Sequence, residues 1–138
     1  MKILLDPGAF MPTRAHPTDA GLDLYSTRDY IIKAGQAIVI DTGIHIELPQ
    51  GHYGEIRSRS GLMCKHNIVA GDGTIDEGYT GSLKVKLFNF NTATDYRIKR
   101  GDKISQLVIL PIITPEIEVV DSLGKTARGN KGFGSTGR

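Results

Sequence analysis

Apolar and polar residues alternate along much of this chain, and the two-residue period constrains its fold more than any other feature. The alternation is clearest over residues 44–48, 83–87 and 116–119. Successive side chains of a β-strand point to opposite faces of a sheet, so this period is typical of strands with one buried face. The sequence therefore predicts an all-β chain in which these three segments are strands.

Turn-forming residues separate the strands at short intervals. Asp, Pro and Gly cluster between the apolar stretches, at Asp6-Pro7-Gly8, Asp41-Thr42-Gly43, Pro49-Gln50-Gly51, Asp72-Gly73 and Arg100-Gly101-Asp102. Short strands at this spacing predict an antiparallel sandwich, barrel or jelly roll. Two aliphatic runs, at 31–32 and 37–40, flank a tetrapeptide that contains glycine, and they predict a hairpin.

Two local features complete this pattern. Residues 60–66 are the stretch that suits a helix, about two turns long, with Ser60 as its N-cap because a serine hydroxyl can accept a hydrogen bond from the first turn. The four histidines show no spacing typical of metal ligands. His45 lies on the polar side of strand 44–48, where we expect a solvated side chain.

Charge and apolar content exclude several classes of function. The 138 residues suit one domain. Seventeen Lys and Arg against fifteen Asp and Glu leave a net charge of +2, which gives no electrostatic case for binding nucleic acid or a membrane. The longest apolar run, 107–113, is far shorter than the ~20 residues of a membrane helix. The single cysteine, Cys64, excludes an internal disulfide. We expect a cytoplasmic protein, either cellular or phage-encoded and acting in the host cytoplasm.

Glycine is abundant in this chain. It accounts for 17 of the 138 residues, roughly 12% against a typical ~7%. Four glycines lie in residues 128–138, where they oppose regular structure. We expect residues 1–127 to form the β domain and residues 128–138 to form a flexible C-terminal arm. Such an arm is ordinarily a disordered terminus, but Phe133 suits stacking on a ring and the hydroxyls of residues 135–136 suit donation to an anion.

Two internal segments carry groups with chemical potential. In residues 54–62 a strand ends in Arg59, Ser60 and Gly61, so that a guanidinium, a hydroxyl and helix-start amides together suit a phosphate; an ordinary capped helix with solvated arginines explains the segment equally well. In residues 71–81, the carboxylate of Asp76 lies three positions before the aromatic ring of Tyr79. A solvated β-turn is the plain alternative there.

Five blocks, taken together, point to a known family. They are Ala20-Gly21-Leu22-Asp23-Leu24-Tyr25-Ser26, Arg59-Ser60-Gly61-Leu62, the loop from Gly73 to Gly81, Gly101-Asp102-Lys103-Ile104-Ser105-Gln106-Leu107, and the tail from Arg128 to Gly137. In their order and spacing they resemble the trimeric deoxyuridine triphosphate nucleotidohydrolases, or dUTPases. Each block alone is weak, but the set of five is highly specific.

The resemblance implies a fold, an assembly and a reaction. The fold would be a distorted β jelly roll (a β-clip) with one short helix. The assembly would be a homotrimer with three active sites, each built from segments of all three subunits, and the C-terminal arm would close over the nucleotide. The reaction would be hydrolysis of dUTP to dUMP and pyrophosphate, which limits uracil incorporation into DNA and supplies dUMP for dTMP synthesis.

The resemblance also implies a role for particular residues. Asp76 would be the general base that activates a water to attack the α-phosphorus. Tyr79 would pack under the deoxyribose and leave no room for a 2′-hydroxyl. The residues that would hold the uracil, by backbone groups and by one aromatic ring, are Gly73, Thr74, Ile75 and Phe133.

Phosphate and metal contacts follow in the same way. The residues that would bind the triphosphate are Arg59, Ser60, Gly61, Gln106, Arg128, Gly134, Ser135 and Thr136. Mg²⁺ would be the cofactor, and Asp23 would hold it through water, since Mg²⁺ keeps several waters and takes oxygen ligands.

The sequence departs from the family pattern at few positions. Some members carry an asparagine at the position of Ala70, and many carry an acid at that of Gly78. Glycine at position 78 also occurs in dCTP deaminases of the same fold, but their catalytic glutamate would fall at Lys86, so deaminase activity is a weak alternative. A nucleotide-gated regulatory binding protein is a second alternative, and such members often carry an inserted segment that this chain lacks.

Overall fold

The computed structural model describes residues 1–132, and within them the chain forms eleven short strands and one helix. This confirms the prediction of an all-β chain. In chain order the elements are β1 (Lys2–Leu5), β2 (Gly21–Tyr25), β3 (Tyr30–Ile32), β4 (Ala37–Asp41), β5 (Ile44–Glu47), β6 (His52–Arg57), α1 (Ser60–His66), β7 (Ile68–Ala70), β8 (Gly73–Ile75), β9 (Lys84–Asn89), β10 (Tyr96–Ile98) and β11 (Lys103–Pro111).

The strands pair into open antiparallel sheets. The largest has the order β2-β11-β6-β8, and a three-stranded sheet has the order β4-β9-β7. Two further pairs, β1-β5 and β10-β3, complete the set. The longest strand, β11, hydrogen-bonds to β2 along one edge and to β6 along the other. Its central place aligns residues from three distant parts of the sequence.

The core is aliphatic, and the alternation in sequence explains which side chains enter it. Strand β5 buries Ile44 and Ile46, and strand β9 buries Val85 and Leu87, while the residues between them face outward. Each fully buried Leu or Ile stabilises the fold by about 1.5–3 kcal/mol relative to exposure. The strands predicted at 44–48 and 83–87 are therefore confirmed, within a residue or two at their ends.

The predicted hairpin between residues 31–32 and 37–40 is wrong. A tight turn does join β3 to β4, closed by the Gln36 N–H donating to the Lys33 carbonyl at 3.0 Å, and Gly35 has a φ of +70°. The two strands nevertheless enter different sheets, since β3 pairs with β10 and β4 pairs with β9. Strand β4 pairs with β9 over five residues, and this longer pairing satisfies more backbone hydrogen bonds than the three-residue β3 could.

The helix forms where it was predicted, but its cap is different. Helix α1 begins at Ser60, and the extended residue before it, Arg59 (φ −87°, ψ 132°), is the N-cap, with no side-chain capping hydrogen bond. The prediction of Ser60 as N-cap is wrong because the chain turns into the helix one residue earlier. The helix ends at Asn67 in the left-handed conformation, with φ 54°. Among residues 1–132 no helix has the length and apolar character to cross a membrane.

The strand predicted at residues 116–119 does not form in this chain. After β11 the described residues 112–132 adopt neither helix nor strand. Ile117 and Val119 are 94% and 95% exposed. The apolar and polar residues alternate as expected, but a strand also needs a neighbour for its backbone groups, and this segment has no strand partner within the described part of the chain.

Candidate active site

A cleft of about 360 Å³ lies where β2, β11 and the start of α1 meet. Five residues predicted from sequence as phosphate or metal contacts line it together: Asp23, Arg59, Ser60, Gly61 and Gln106. The strand register explains their convergence. Gln106 of β11 lies opposite Asp23 of β2 on one side and opposite Arg57 of β6 on the other, and the chain reaches Arg59 two residues later.

Asp23 is the centre of charge in this cleft. Its side chain is only 13% exposed, and its two carboxylate oxygens each pair with a cation. Arg59 donates from Nε to Oδ1 at 2.9 Å, and Lys103 donates from Nζ to Oδ2 at 2.7 Å. The hydrogen bond to Asp23 raises the pKa of Lys103 above its ordinary value. The arginine is thereby held with its guanidinium at the cleft wall, where a phosphate oxygen can reach it.

Lys103 was not among the residues predicted for the site. It lies inside one of the five sequence blocks, but β11 has a register shift between Lys103 and Ser105. This bulge interrupts the two-residue period of the strand. The alternation of side chains therefore does not predict that Lys103 and Gln106 lie on the same side of β11. The block itself was the signal that could have found the lysine.

Gln106 fixes the segment that precedes the helix. Its Nε2 donates to the Ser58 carbonyl at 2.9 Å, and the Ser58 hydroxyl accepts from the Ala70 N–H at 2.9 Å. The side-chain amide lies so close to Gly21 that a Cβ there would be 2.9 Å from Gln106 Cδ. A side chain at residue 21 would therefore displace the Gln106 amide, and the segment before α1 is held from both β11 and β7.

A second group of predicted residues lies on β8 and the loop that follows it. Gly73, Thr74 and Ile75 form β8 itself, which is the last strand of the described sheet and pairs with β6 along one edge only. The next residues turn back, with the Tyr79 N–H donating to the Asp76 carbonyl at 3.0 Å. The side chains of both Asp76 and Tyr79 are exposed. The loop thus presents a carboxylate and an aromatic ring beside an uncovered strand edge.

The Tyr79 ring is held by contacts within the loop. Its hydroxyl donates to the Ser82 carbonyl at 3.0 Å. The ring passes over Gly81, where a Cβ would lie 2.5 Å from the tyrosine oxygen and 2.6 Å from Cζ. The ring therefore has its observed position only because residue 81 has no side chain.

The Arg59 cleft and the loop of Asp76 lie towards opposite ends of β6. Arg59 follows the last residue of β6 by two positions, whereas Ile75 pairs with Gly54 near its first residue. Glu77, next to Asp76, accepts from the Gly51 N–H at 2.7 Å, one residue before β6 begins. Gly54 and Arg59 are five positions apart, which at about 3.3 Å for each residue is a separation of up to roughly 16 Å. A single chain does not bring Asp76 into the cleft of Arg59.

The remaining predicted residues lie in the C-terminal segment. Arg128 is exposed and donates from Nε to the Lys131 carbonyl at 3.1 Å, away from the cleft. Phe133, Gly134, Ser135 and Thr136 lie outside the described residues.

The side chains of the cleft suit a metal ion only if water or a bound phosphate supplies further ligands to that ion. Residues 1–132 contain no cluster of three or more His, Cys, Asp or Glu side chains that could hold an ion by themselves. Mg²⁺, however, is commonly held by one or two carboxylates together with substrate phosphates and water. Asp23, in a cleft that Arg59 and Gln106 also line, fits this second kind of site.

Comparison with known proteins identifies the family. The dUTPase family model matches residues 8–137, and the chain belongs to this family. The resemblance inferred from the five sequence blocks is confirmed.

Named relatives and solved structures agree with this assignment. The chain is 50% identical over 135 residues to a deoxyuridine 5′-triphosphate nucleotidohydrolase of Rhodococcus erythropolis, covering 96% of this chain and 82% of that protein. It is 48% identical over 134 residues to the mitochondrial enzyme of Homo sapiens, covering 97% of this chain and 53% of that one.

Among solved structures, a mutant dUTPase of Staphylococcus bacteriophage 80alpha with dUpNHpp superposes with a TM-score of 0.93 at 33% identity, covering 99% of this chain and 98% of that one. A mutant dUTPase from phage phi11 of S. aureus, described with a structural Mg(II) ion, has a TM-score of 0.83 at 33% identity, covering 88% and 96%. These likenesses confirm the predicted jelly-roll type of β fold.

The contact between Gly81 and Tyr79 makes a direct prediction. We expect Gly81→Ala to displace the tyrosine ring, since the new Cβ would overlap it. Gly78→Ala is the matched control, because a Cβ at residue 78 meets nothing within 4 Å. With the five tyrosines isotopically labelled, the Tyr79 ring resonances should move in the first variant and stay close to wild type in the second. Equal shifts in the two variants would contradict the packing described here.

Proposed function

We propose that this protein hydrolyses dUTP to dUMP and pyrophosphate, and thereby limits uracil incorporation into DNA and supplies dUMP for dTMP synthesis. The observation that carries the proposal is the convergence of Asp23, Arg59 and Gln106 in one phosphate-sized cleft, together with a loop that presents Asp76 and Tyr79. The proposal is supported by the family membership and by relatives named for this reaction at up to 50% identity.

In the proposed reaction Asp76 is the general base. Its carboxylate takes a proton from a water molecule as the water oxygen attacks the α-phosphorus, and the bond from that phosphorus to the β-phosphate bridging oxygen breaks. Pyrophosphate leaves and dUMP remains. The exposed position of Asp76, at a turn beside the edge strand β8, gives a nucleotide access to it.

Selection of the nucleoside is assigned to β8 and Tyr79. The edge of β8 that pairs with no described strand can offer backbone donors and acceptors to uracil. Cytosine has an amino donor at position 4, where uracil has a carbonyl acceptor, so the same backbone groups would not match it. A mismatch that leaves buried polar groups unpaired discriminates more strongly than a lost methyl contact. Tyr79, whose ring is held over Gly81, would pack under deoxyribose and exclude a 2′-hydroxyl.

Phosphate binding is assigned to the cleft and to the C-terminal arm. Arg59, Ser60, Gly61 and Gln106 would bind phosphate oxygens from the cleft, and Arg128 with residues 133–136 would bind them from the arm. Mg²⁺, when bound to the triphosphate, would offset its negative charge. Asp23 would hold this ion through water.

The dCTP deaminase alternative lacks the acid that it requires. Lys86 occupies the corresponding position on β9, where its side chain is exposed and its Nζ lies 5.0 Å from the centre of the Phe88 ring. An ammonium group cannot act as the carboxylate of that reaction. We therefore favour pyrophosphate release from dUTP over release of ammonia from dCTP.

We propose a homotrimer with shared active sites, and the separation of the Arg59 cleft from the Asp76 loop supports it. Asp76 and Arg59 lie towards opposite ends of β6, and Asp76 does not line the cleft that Arg59 lines. The apolar residues that follow β11 are exposed and lack a strand partner within the described residues: Ile113, Ile117, Val119 and Leu123. Burying them against a neighbouring subunit would remove this apolar surface from water. We propose that each site combines the β8 loop of one subunit with the Arg59 cleft of another and the arm of the third.

Substrate selectivity and the base are tested in one assay. With Mg²⁺ present, we expect pyrophosphate release from dUTP and at least 100-fold less from dCTP, dTTP or UTP, as expected when polar groups discriminate. Asp76→Asn should reduce turnover of dUTP by about 10³-fold or more, since the amide cannot accept the proton. Its affinity for the non-hydrolysable analogue dUpNHpp should stay close to wild type.

Asp72→Asn is the matched control for this assay. Asp72 is an exposed carboxylate near the start of β8 that has no assigned role. We expect this variant to keep most of the activity. Turnover of dUTP by Asp76→Asn near the wild-type rate would contradict the assignment of the base, and equal release from all four nucleotides would contradict the proposed specificity.

Shared sites predict complementation between inactive variants. Asp76→Asn and Arg59→Ala should each be inactive alone. When the two are refolded together, about a quarter of the sites in randomly mixed trimers should contain both native residues, and activity should return to about that level. The control mixture, Asp76→Asn with Tyr79→Ala, should recover none, because both residues lie on the same loop. Failure of the first mixture, with mixed trimers shown by tagged subunits, would place the whole site within one subunit.

A further inference from the structure

Three hydrogen bonds that involve side chains join the loop of Asp76 and Tyr79 to other segments of the domain. Near its start, the Glu77 carboxylate accepts from the Gly51 N–H at 2.7 Å. Near its end, the Ser82 hydroxyl donates to the carboxylate of Asp41. Between them, the Thr80 carbonyl accepts from Nδ1 of His45 at 2.8 Å.

His45 is half-buried rather than solvated, contrary to our expectation from the sequence. It lies on β5 opposite Leu4 of β1, and its side chain is 24% exposed. While Nδ1 faces the Thr80 carbonyl, Nε2 lies 3.4 Å from Oδ1 of Asp6, in the segment after β1. The ring therefore joins the loop to the β1–β5 pair.

The charged groups around His45 are mainly acidic. Asp6 faces it from the segment after β1, and Asp41 faces it from the end of β4. The ion pair between Lys2 and Glu47, at 2.8 Å, lies further along the same two strands and is internally neutralised. The hydrogen bond to the Thr80 carbonyl, followed by the interaction with Asp6, raises the pKa of His45 above its ordinary 6.5, although burial opposes this.

We propose that His45 is a positioning residue for the reaction: through Thr80 it holds the loop of Asp76 and Tyr79 in place, and Asp6 strengthens this hold when the imidazole is protonated. The proposal rests on the proposed hydrolysis of dUTP for its kinetic consequence. Its structural part, the attachment of the loop, stands on the contacts above and can be measured without substrate.

The direction of the pH dependence follows from the two ring nitrogens. A carbonyl can only accept, so Nδ1 carries a hydrogen in the contact with Thr80. Only the imidazolium also carries a hydrogen on Nε2 to donate to Asp6; in the neutral ring the Nε2 lone pair faces the carboxylate. Because the pKa of His45 is raised by folding, this stabilisation is fully present below pH 6.5 and is lost as pH rises through the folded value.

Three variants test the kinetic part. His45→Gln carries no charge, and Asp6→Asn removes the carboxylate that Nε2 faces. His66→Gln is the matched control, because His66 lies at the end of α1 and its ring packs on Tyr96. We expect kcat for dUTP at pH 6 to fall about three- to tenfold in the first two variants, the size of one charge-assisted hydrogen bond. The difference from wild type should shrink towards pH 9, and His66→Gln should follow wild type throughout.

Hydrogen–deuterium exchange tests the structural part without nucleotide. The loop peptide 77–83 includes the Tyr79 and Leu83 amides, which donate to Asp76 and Ile44. Its exchange at pH 6, relative to a peptide from β11 in the same sample, should be faster in His45→Gln than in wild type, and the difference should be smaller at pH 9.

The outcomes separate this proposal from the proposed function. Unchanged loop exchange in His45→Gln, or a kcat profile parallel to wild type from pH 6 to 9, would overturn the role of His45. An absence of dUTP hydrolysis by the wild-type protein would instead overturn the proposed function, and the exchange measurement would still decide whether His45 holds the loop.

Discussion

The double pairing of β11 is the constraint on which the rest of the structure depends. Its register with β2 and β6 puts Asp23, Gln106 and Arg57 in one row across the sheet. Arg59, the N-cap of α1, lies two residues beyond that row, and its guanidinium meets the carboxylate of Asp23. The cleft is therefore a consequence of sheet register, with the polar groups converging from strands that are more than thirty residues apart in sequence.

The same sheet also keeps the second half of the site away from the first. β8 pairs with β6 by only three residues, and the register places its last residue near the start of β6. Asp76 and Tyr79 consequently lie at the far end of the strand from Arg59. This separation supports the proposed trimer, in which a triphosphate bound in the cleft would meet a base from another chain. The exposed apolar side chains after β11 supply surface for such an assembly.

Much of the fold was predictable because a strand with one buried face requires apolar and polar residues to alternate along its sequence. Strand β5 and strand β9 bury alternate residues as their sequences indicate. The partner of each strand was not predictable in this way: residues 31–32 and 37–40 have the pattern of a hairpin, yet they join different sheets. Residues 116–119 have the pattern of a strand, but the pattern says nothing about where a partner comes from.

The candidate site was predictable as a set of residues but not as a geometry. The five blocks named Asp23, Arg59 and Gln106, and the structure brings these three into one cleft. Lys103 was not predicted as a site residue because a bulge interrupts the two-residue period of β11. The contacts of His45 were not predicted because its partners, Thr80 and Asp6, lie 35 and 39 positions away in the sequence. A local sequence pattern gives no information about contacts over that distance.

The central claim is that one nucleotide is bound by more than one copy of this chain. The most direct test is a crystal structure of the protein with dUpNHpp and Mg²⁺. The account predicts that the uracil lies against β8 and Tyr79 of one subunit, while the phosphates contact Arg59 and Gln106 of a neighbouring subunit. A nucleotide whose base and phosphates are all held by a single subunit would contradict it.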